Sequence, residues 1–500
     1  MVDSANGSEQ NLILASEDFS KQEFRQLHRF SKNDERVIAK LIAHGPVLLQ
    51  GSRGSGKSAL LREAAFRLPL DNDSRALGIY ISLRHMPLLT SVGNEYQRIL
   101  CELLISQVQR VLKDSGNAFD ASPNLVSVQG ALSDLSQTLQ KRLVIMFDDA
   151  AHIGREASLG DFFDVFRTLS GSTISCKATI YPGVTNFGKR FDVHNDATVI
   201  DVVRDEEQPG FGEFFLEVMR TRYPALAEQR LGSELDAVSF AFFLGKSVLG
   251  NMRSFLFLCN RISERDEKVL GFSAIGESFL NMASGFYWPL IEEVRPKLGK
   301  YEPVAETAVL IADRLLVEAG RASDGTRSSD TSVIIHRDIV SRLAKAFEIL
   351  EYVGFISRRE ASRAMKSGGR GPRFALNLCM LLEHTHGTRL TSELFKRWLS
   401  KSVEALQIHV SAPTFQTIKM PDSSEVDDLE ILDNPVDSLR KAPAYPYGLS
   451  DRMIEKLHEA SINTIRELYE APDAKLDAIP QIGDARVKYL RNVVAQAVWL

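Results

Sequence analysis

The sequence predicts an α/β protein. A three-layer core around a parallel sheet is followed by a helical lid, a winged helix and a small all-α helix-hairpin-helix domain. Two observations carry the core. Short apolar runs at Val47-Leu48-Leu49, Leu77-Gly78-Ile79-Tyr80-Ile81, Leu143-Val144-Ile145-Met146-Phe147 and Ala178-Thr179-Ile180-Tyr181 are separated by helical stretches. That is the pattern of βαβ units whose strands are buried on both faces. The first run also leads into Gly51-Ser52-Arg53-Gly54-Ser55-Gly56-Lys57-Ser58 and the helix-forming Ala59-Leu60-Leu61-Arg62. Strand, glycine turn and helix are the setting a phosphate-binding loop requires.

Length and charge bound the rest. Five hundred residues exceed one compact domain. The expected division is a flexible arm at 1–27, the core at 28–205, the lid at 206–295, the winged-helix domain at 296–410, an acidic linker at 411–444 and the terminal module at 445–500. A net charge of −5 with 44% hydrophobic and 25% charged residues is ordinary for a globular chain. It excludes a globally basic nucleic-acid binder, so any DNA contact must come from local patches. Cys101, Cys176, Cys259 and Cys379 are too scattered for a zinc site or a disulfide framework, which fits a reducing cytoplasm. The start lacks the basic and apolar regions of a signal peptide. No run approaches the ~20 apolar residues of a membrane span. A soluble cytoplasmic protein without membrane contact is expected.

In the phosphate loop, glycines allow backbone N–H groups to wrap phosphates where a Cβ would obstruct them. The following helix, from Ala59 onward, adds its positive end. Lys57 pairs with the β- and γ-phosphates in this reading, and the Ser58 hydroxyl ligates Mg²⁺. The third apolar run ends in Asp148-Asp149, delivering two carboxylates to the sheet edge where ligands bind. Asp148 is expected in the Mg²⁺ shell and Asp149 beside the attacking water. Asp is one methylene shorter than the Glu many relatives place at the second position, so slow hydrolysis is expected. After the next strand, Thr185 and Asn186 are candidates to touch the γ-phosphate, and Arg190 to reach a neighbouring subunit's nucleotide. His152 reads as an ordinary surface histidine. Further on, Gly250-Asn251-Met252-Arg253 opens a helix. Asn251 can cap that helix, while Arg253 can fold over the nucleotide.

This ordered set, with Phe30-Ser31-Lys32-Asn33-Asp34-Glu35-Arg36 before the first strand, resembles AAA+ ATPases of the origin-recognition and replication-initiator type. The allied STAND signalling ATPases share much of the plan. The resemblance covers about residues 28–400 and implies ATP and Mg²⁺ as ligands and a homo-oligomer.

Residues 337–373 hold nine basic side chains against four acidic ones. A helical stripe from Arg337 to Leu350 and two strands flank a glycine-containing turn, the order of a winged helix. The local excess suits DNA phosphates, with Arg358, Arg359, Lys366, Arg370 and Arg373 as candidates and Arg370 reaching the minor groove. The stretch 421–437 carries seven acidic and no basic residues and reads as solvated linker. Residues 445–495 resemble the C-terminal domain of the bacterial RNA polymerase α subunit. Their Ile479-Pro480-Gln481-Ile482-Gly483 hairpin and the basic trio Arg486, Lys488 and Arg491 suit a phosphate backbone, although acidic and basic residues balance over 441–500.

The function expected from these readings is an ATP-binding, slowly hydrolysing switch that binds double-stranded DNA through both terminal units. The alternative is a STAND-like signalling ATPase, for instance in defence against mobile elements, whose terminal units dock protein partners. A promoter-competing transcription regulator is a third reading.

Overall fold

The computed structural model describes residues 16–70, 74–84, 93–113, 115–151, 156–183, 187, 190–228, 236–265, 269–323, 329–366, 368–400, 405–421, 430–441 and 448–499. Thr185, Asn186 and His152 lie outside the described residues.

The core sheet comprises β1 (Val47–Gln50), β2 (Ala76–Ser82), β3 (Arg142–Ala151), β4 (Ile174–Ile180) and β5 (Thr198–Asp201), in the order β2-β3-β4-β1-β5 with all neighbours parallel. The period-2 alternation of a strand sends Leu143, Ile145 and Phe147 to one face and Val144 and Met146 to the other. Helices Asn94–Leu112, Leu125–Leu139 and Glu156–Leu169 cover the first face, and Lys32–Ile42 with Lys57–Phe66 the second. Three layers result because both faces are apolar. β5 has only one inward apolar position, Ile200, which is why the apolar runs do not announce it.

Helices Phe211–Arg222, Ala237–Ser247, Met252–Ser263, Phe272–Met282 and Trp288–Val294 follow the core. A second sheet contains β6 (Ser329–Ile335), β7 (Ile356–Ala364), β8 (Arg370–Leu376) and β9 (Ala405–Ile408), ordered β7-β8-β6-β9. The helical stripe from Arg337 divides at Leu343 (φ −114°, ψ 24°) into Arg337–Arg342 and Ala344–Val353. The helical segment and the second sheet share one apolar core, where Phe243 meets Phe395 at 4.7 Å between ring centroids and Trp398 is fully buried. Large apolar burial is the main stabilising term in such a contact, so these two segments pack as one body.

Two expected loose segments are partly ordered. Within the 1–27 arm, Ser20 and Glu23 form a reciprocal capping box on helix Lys21–Leu27, which buries Phe24 completely. The Ser-x-x-Glu spacing is a sequence-level helix start. Within the acidic stretch, Leu432, Val436 and Leu439 are buried, and Val436 N donates to Asn463 O at 2.8 Å. Apolar residues between the acids thus pack residues 430–441 onto the terminal helices Asp451–Glu459, Ile465–Glu470 and Asp484–Trp499. Among the described residues no helix is long and apolar enough to cross a membrane, and the four cysteines are buried free thiols.

Candidate functional site

β1 ends at the loop Gly51-Ser52-Arg53-Gly54-Ser55-Gly56, and Gly54 (φ +80°) and Gly56 (φ +96°) take left-handed backbone there. Glycine adopts that region without the Cβ penalty. The helix starts at Lys57 with no side-chain cap on its first turn, so its free N–H groups and positive end face the cleft. Lys57 is buried. Its Nζ donates to Gly51 O at 2.7 Å and Ser52 O at 3.0 Å and lies 3.8 Å over the Tyr181 ring. Burial pushes its ammonium down to about 7, against the pull of Asp149 and Asp148, with Arg253 lowering it further.

The two carboxylates at the end of β3 are held differently. Asp148, 1% exposed, accepts from Tyr80 OH at 2.6 Å and Thr179 Oγ1 at 2.9 Å. Asp149 has φ +54°, a region Asp tolerates better than most residues. Its N–H donates to Thr179 Oγ1 at 2.7 Å, and its Oδ1 accepts from Tyr181 OH at 3.0 Å. The polar groups of the β4 end that meet the carboxylates are therefore Thr179 and Tyr181, inside or just after the strand. The signal was present in Ser175-Cys176-Lys177-Ala178-Thr179, where polar and apolar residues alternate although both faces are buried.

The helical segment docks directly on the loop. Asn251 caps helix Met252–Ser263 by accepting from Ser254 N at 3.1 Å, and its amide donates to Arg53 O at 2.7 Å. Arg253 N donates to Gly54 O at 3.1 Å. Arg204 braces the loop from behind, bonding Ser55 O at 2.6 Å and the buried Asp34 at 2.9 Å. A Cβ on Gly54 would lie 2.6 Å from Arg253 Cβ and 2.8 Å from Asn251 Oδ1, whereas one on Gly45, also at positive φ, meets nothing within 4 Å. Gly54→Ala is therefore expected to cost about 1–3 kcal/mol of stability and more than Gly45→Ala. Urea unfolding of the two variants checks this, and the difference reports the lost docking.

The second sheet unit also reaches the loop. Tyr352 O accepts from Arg53 N at 3.1 Å, the Tyr352 and Tyr181 rings meet edge-on at 5.0 Å, and Lys345 Nζ donates to Gly183 O at 2.7 Å. Helix Ala344–Val353 is thus seated against the candidate site.

These elements line a partly open cleft. Gly54, Gly56, Lys57, Ser58 and Ala59 line its phosphate end with Asp149 and Arg253. Phe19, Leu27, Phe30 and Leu256 line an apolar end suited to a planar base. His28 belongs to that end. It stacks on Phe24 at 4.0 Å between ring centroids, and burial, with nearby Arg222, Arg62 and Arg29, lowers its pKa to about 4 despite the Phe24 carbonyl contact. It is neutral at pH 7. For Mg²⁺, the Ser58 hydroxyl and the Asp148 carboxylate are hard oxygen donors. Mg²⁺ takes one or two protein oxygens of this kind; Ser58 lines the cleft, whereas the Asp148 carboxylate is buried and already accepts from Tyr80 and Thr179.

The other candidates are placed as follows. Arg190 is exposed, and its carbonyl accepts from Arg167. Arg359 has a side chain 1% exposed and bonds Glu206 at 2.7 Å, while Arg373 bonds Glu207 at 2.8 Å and Glu360 at 2.7 Å. Both are buried in internal ion pairs, because Asp205-Glu206-Glu207 comes to meet them. Arg358 pairs with Glu351 at 3.1 Å and stays partly exposed. Lys366 and Arg370 are exposed. Gly483, Arg486 and Lys488 are exposed at the terminal hairpin, whereas Arg491 caps the carbonyls of Leu468 and Tyr469 and bonds Asp473.

No protein-family model and no curated protein matches the chain. Solved structures similar to it include a Walker-type ATPase of Pyrococcus abyssi, at 15% identity over 71% of this chain and 95% of that one, with a TM-score of 0.44. Another is the Aeropyrum pernix ORC1 protein in complex with DNA, at 14% identity, 76% and 94% coverage and a TM-score of 0.32. A third is a signal transduction ATPase with numerous domains (STAND) from Pyrococcus horikoshii. It shows 13% identity, 75% and 46% coverage and a TM-score of 0.27. The function of the chain is read from its own residues.

Proposed function

We propose that the chain is a Mg·ATP-binding, slowly hydrolysing AAA+-type switch. The observation that carries this is the meeting, in one cleft, of Lys57, Asp149 and Arg253, with Asp148 buried behind Asp149 and Asn251 bonded to the loop from the helical segment. Phosphate oxygens offer the Lys57 ammonium a stronger partner than the Gly51 and Ser52 carbonyls, because they carry the opposite charge. The loop N–H groups and the helix end bind the phosphates, and Arg253 joins them from the helical segment. Ser58 and Asp148 are the residues that would hold Mg²⁺, which would supply charge neutralisation to the phosphates. Asp149 is the residue placed to orient a water, and its bond from Tyr181 and its short side chain both hold turnover down.

The output we assign is double-stranded DNA, bound through the exposed wing residues Lys366 and Arg370 and the terminal hairpin with Gly483, Arg486 and Lys488. The functional division follows that of the sequence, with the core at 28–205, lid at 206–295, winged helix at 296–410 and terminal module at 445–500. Tethering two weak sites supports binding through effective concentration. A second reading, a signalling ATPase whose terminal units dock proteins, is favoured by one observation. Helix Ala344–Val353, the helix a winged helix lays in the major groove, is occupied against Arg53 and Gly183.

The test is binding of a labelled duplex with and without ATP·Mg²⁺, in wild type and Lys57→Ala, across a salt series. ATP-dependent binding that weakens with salt and is altered in the variant is expected. Absence of duplex binding at low salt in every nucleotide state overturns the DNA output. Ligand-triggered self-association in that case selects the signalling reading.

A further inference from the structure

The cleft contains an arginine that the motifs above leave out. β2 runs beside β3 with Ser82 in register with Asp148, and Leu83 N donates to Asp148 O at 3.0 Å. The next residue, Arg84, is 3% exposed and lines the cleft beside Lys57, Asp149 and Arg253. Arginine is among the residues least often buried, and Arg84 keeps contacts within the protein as well as its place in the cleft lining. A cation held there at the carboxyl edge of the sheet is in the place where anionic ligands of open α/β sheets bind.

The other cleft arginines have identifiable tasks or places. Arg204 is engaged by Ser55 O and Asp34, and Arg222 lies over the Phe19 ring at 5.6 Å, at the base end. Arg253 approaches through Gly54. Arg84 comes from the opposite flank, since β2 is the sheet's outer strand beyond β3 and its carboxylates. A triphosphate that followed the loop to Asp149 would bring its terminal phosphate to that flank, and a diphosphate would end one phosphate short of it.

We propose that Arg84 binds the γ-phosphate within the same chain, so that the protein distinguishes ATP from ADP without an arginine from a neighbouring subunit. This deepens the nucleotide-switch reading and rests on it. Guanidinium geometry suits this task because its donors match two phosphate oxygens at once, which a lysine ammonium cannot do.

The experiment measures binding of fluorescent ADP and ATP analogues, with Mg²⁺, to full-length wild type, Arg84→Ala and Arg84→Lys over a protein dilution series. Wild type is expected to prefer the triphosphate at every protein concentration. Arg84→Ala is expected to weaken the triphosphate about tenfold, the loss of one charged hydrogen-bonding partner, and to leave the diphosphate nearly unchanged. Arg84→Lys should fall between them. Retained diphosphate binding shows that the variants are folded. If both variants were unable to bind the diphosphate, Arg84 would be a structural residue and the proposal would fail. An unchanged triphosphate preference in Arg84→Ala overturns it too, as does a preference that emerges only when chains are concentrated. Wild-type protein that binds neither nucleotide overturns the ATPase reading itself.

Discussion

Replacing Lys57 by alanine is expected to lower the affinity for Mg·ATP by roughly a hundredfold or more, the cost of leaving buried phosphate charge without its partner. The variant should keep its fold, because among the described residues the amine's hydrogen bonds go to its own loop's carbonyls. The same residue gives wild type a pH signature. In the empty cleft its ammonium titrates at about 7, and adjacent phosphate favours the charged form and raises that value. Above pH 7, binding must therefore take up a proton. Affinity falls by up to about tenfold per pH unit until the raised value is reached, and this group adds no slope below 7. For folding the sign is opposite in sense. The empty native state binds fewer protons than the unfolded chain between about 7 and the ordinary 10.5, so this group's contribution to stability rises with pH across that window. Calorimetric titration in buffers of different ionisation enthalpy measures the uptake. Proton uptake that persists in Lys57→Ala would assign it to another group.

Arg359→Ala is expected to destabilise the protein by about 3–5 kcal/mol, the cost of removing one partner of a buried ion pair. Its side chain is 1% exposed and Glu206 is 13% exposed at 2.7 Å from it. Burial pushes the Glu206 carboxyl up, but Arg359 together with a backbone hydrogen bond and Lys246 holds it below the ordinary 4.5. A depressed carboxylate contributes stability that is present above 4.5 and lost as pH falls through its lowered value. Arg359→Ala should therefore flatten the acid limb of the stability curve. The exposed Arg370→Ala should change stability by no more than about 0.5 kcal/mol while weakening duplex binding. Urea unfolding across pH, paired with duplex titration, separates the two. An Arg359→Ala protein of wild-type stability that loses DNA would return that residue to the DNA surface.

The core was readable from sequence because its signals are local. The Gly54 and Gly56 turn, the strand before it and the Asp148-Asp149 strand end each lie within a few adjacent residues. Sequence reading was weaker where function depends on what the fold brings together. Arg359 and Arg373 count as free cations along the chain, yet Glu206 and Glu207 come from more than a hundred residues away to pair with them. Thr179 reads as part of an apolar run, and only parallel pairing of β3 with β4 sets its hydroxyl between the Asp148 carboxylate and the Asp149 N–H. Arg84 has no motif around it, and its place beside Asp149 follows from the register of β2 on β3. The acidic stretch misled for another reason: net charge conceals the three apolar residues that bury its second half.

The seating of helix Ala344–Val353 has an energetic corollary. Lys57 stands over Tyr181, Tyr181 abuts Tyr352, and Arg53 joins the Tyr352 carbonyl, so phosphate and helix address the same few groups. Equilibrium coupling between two such events is reciprocal. Any factor by which nucleotide changed the seating of the helix would equal the factor by which that seating changes nucleotide affinity. A partner that bound the helix only when unseated would then act on nucleotide affinity without touching the cleft.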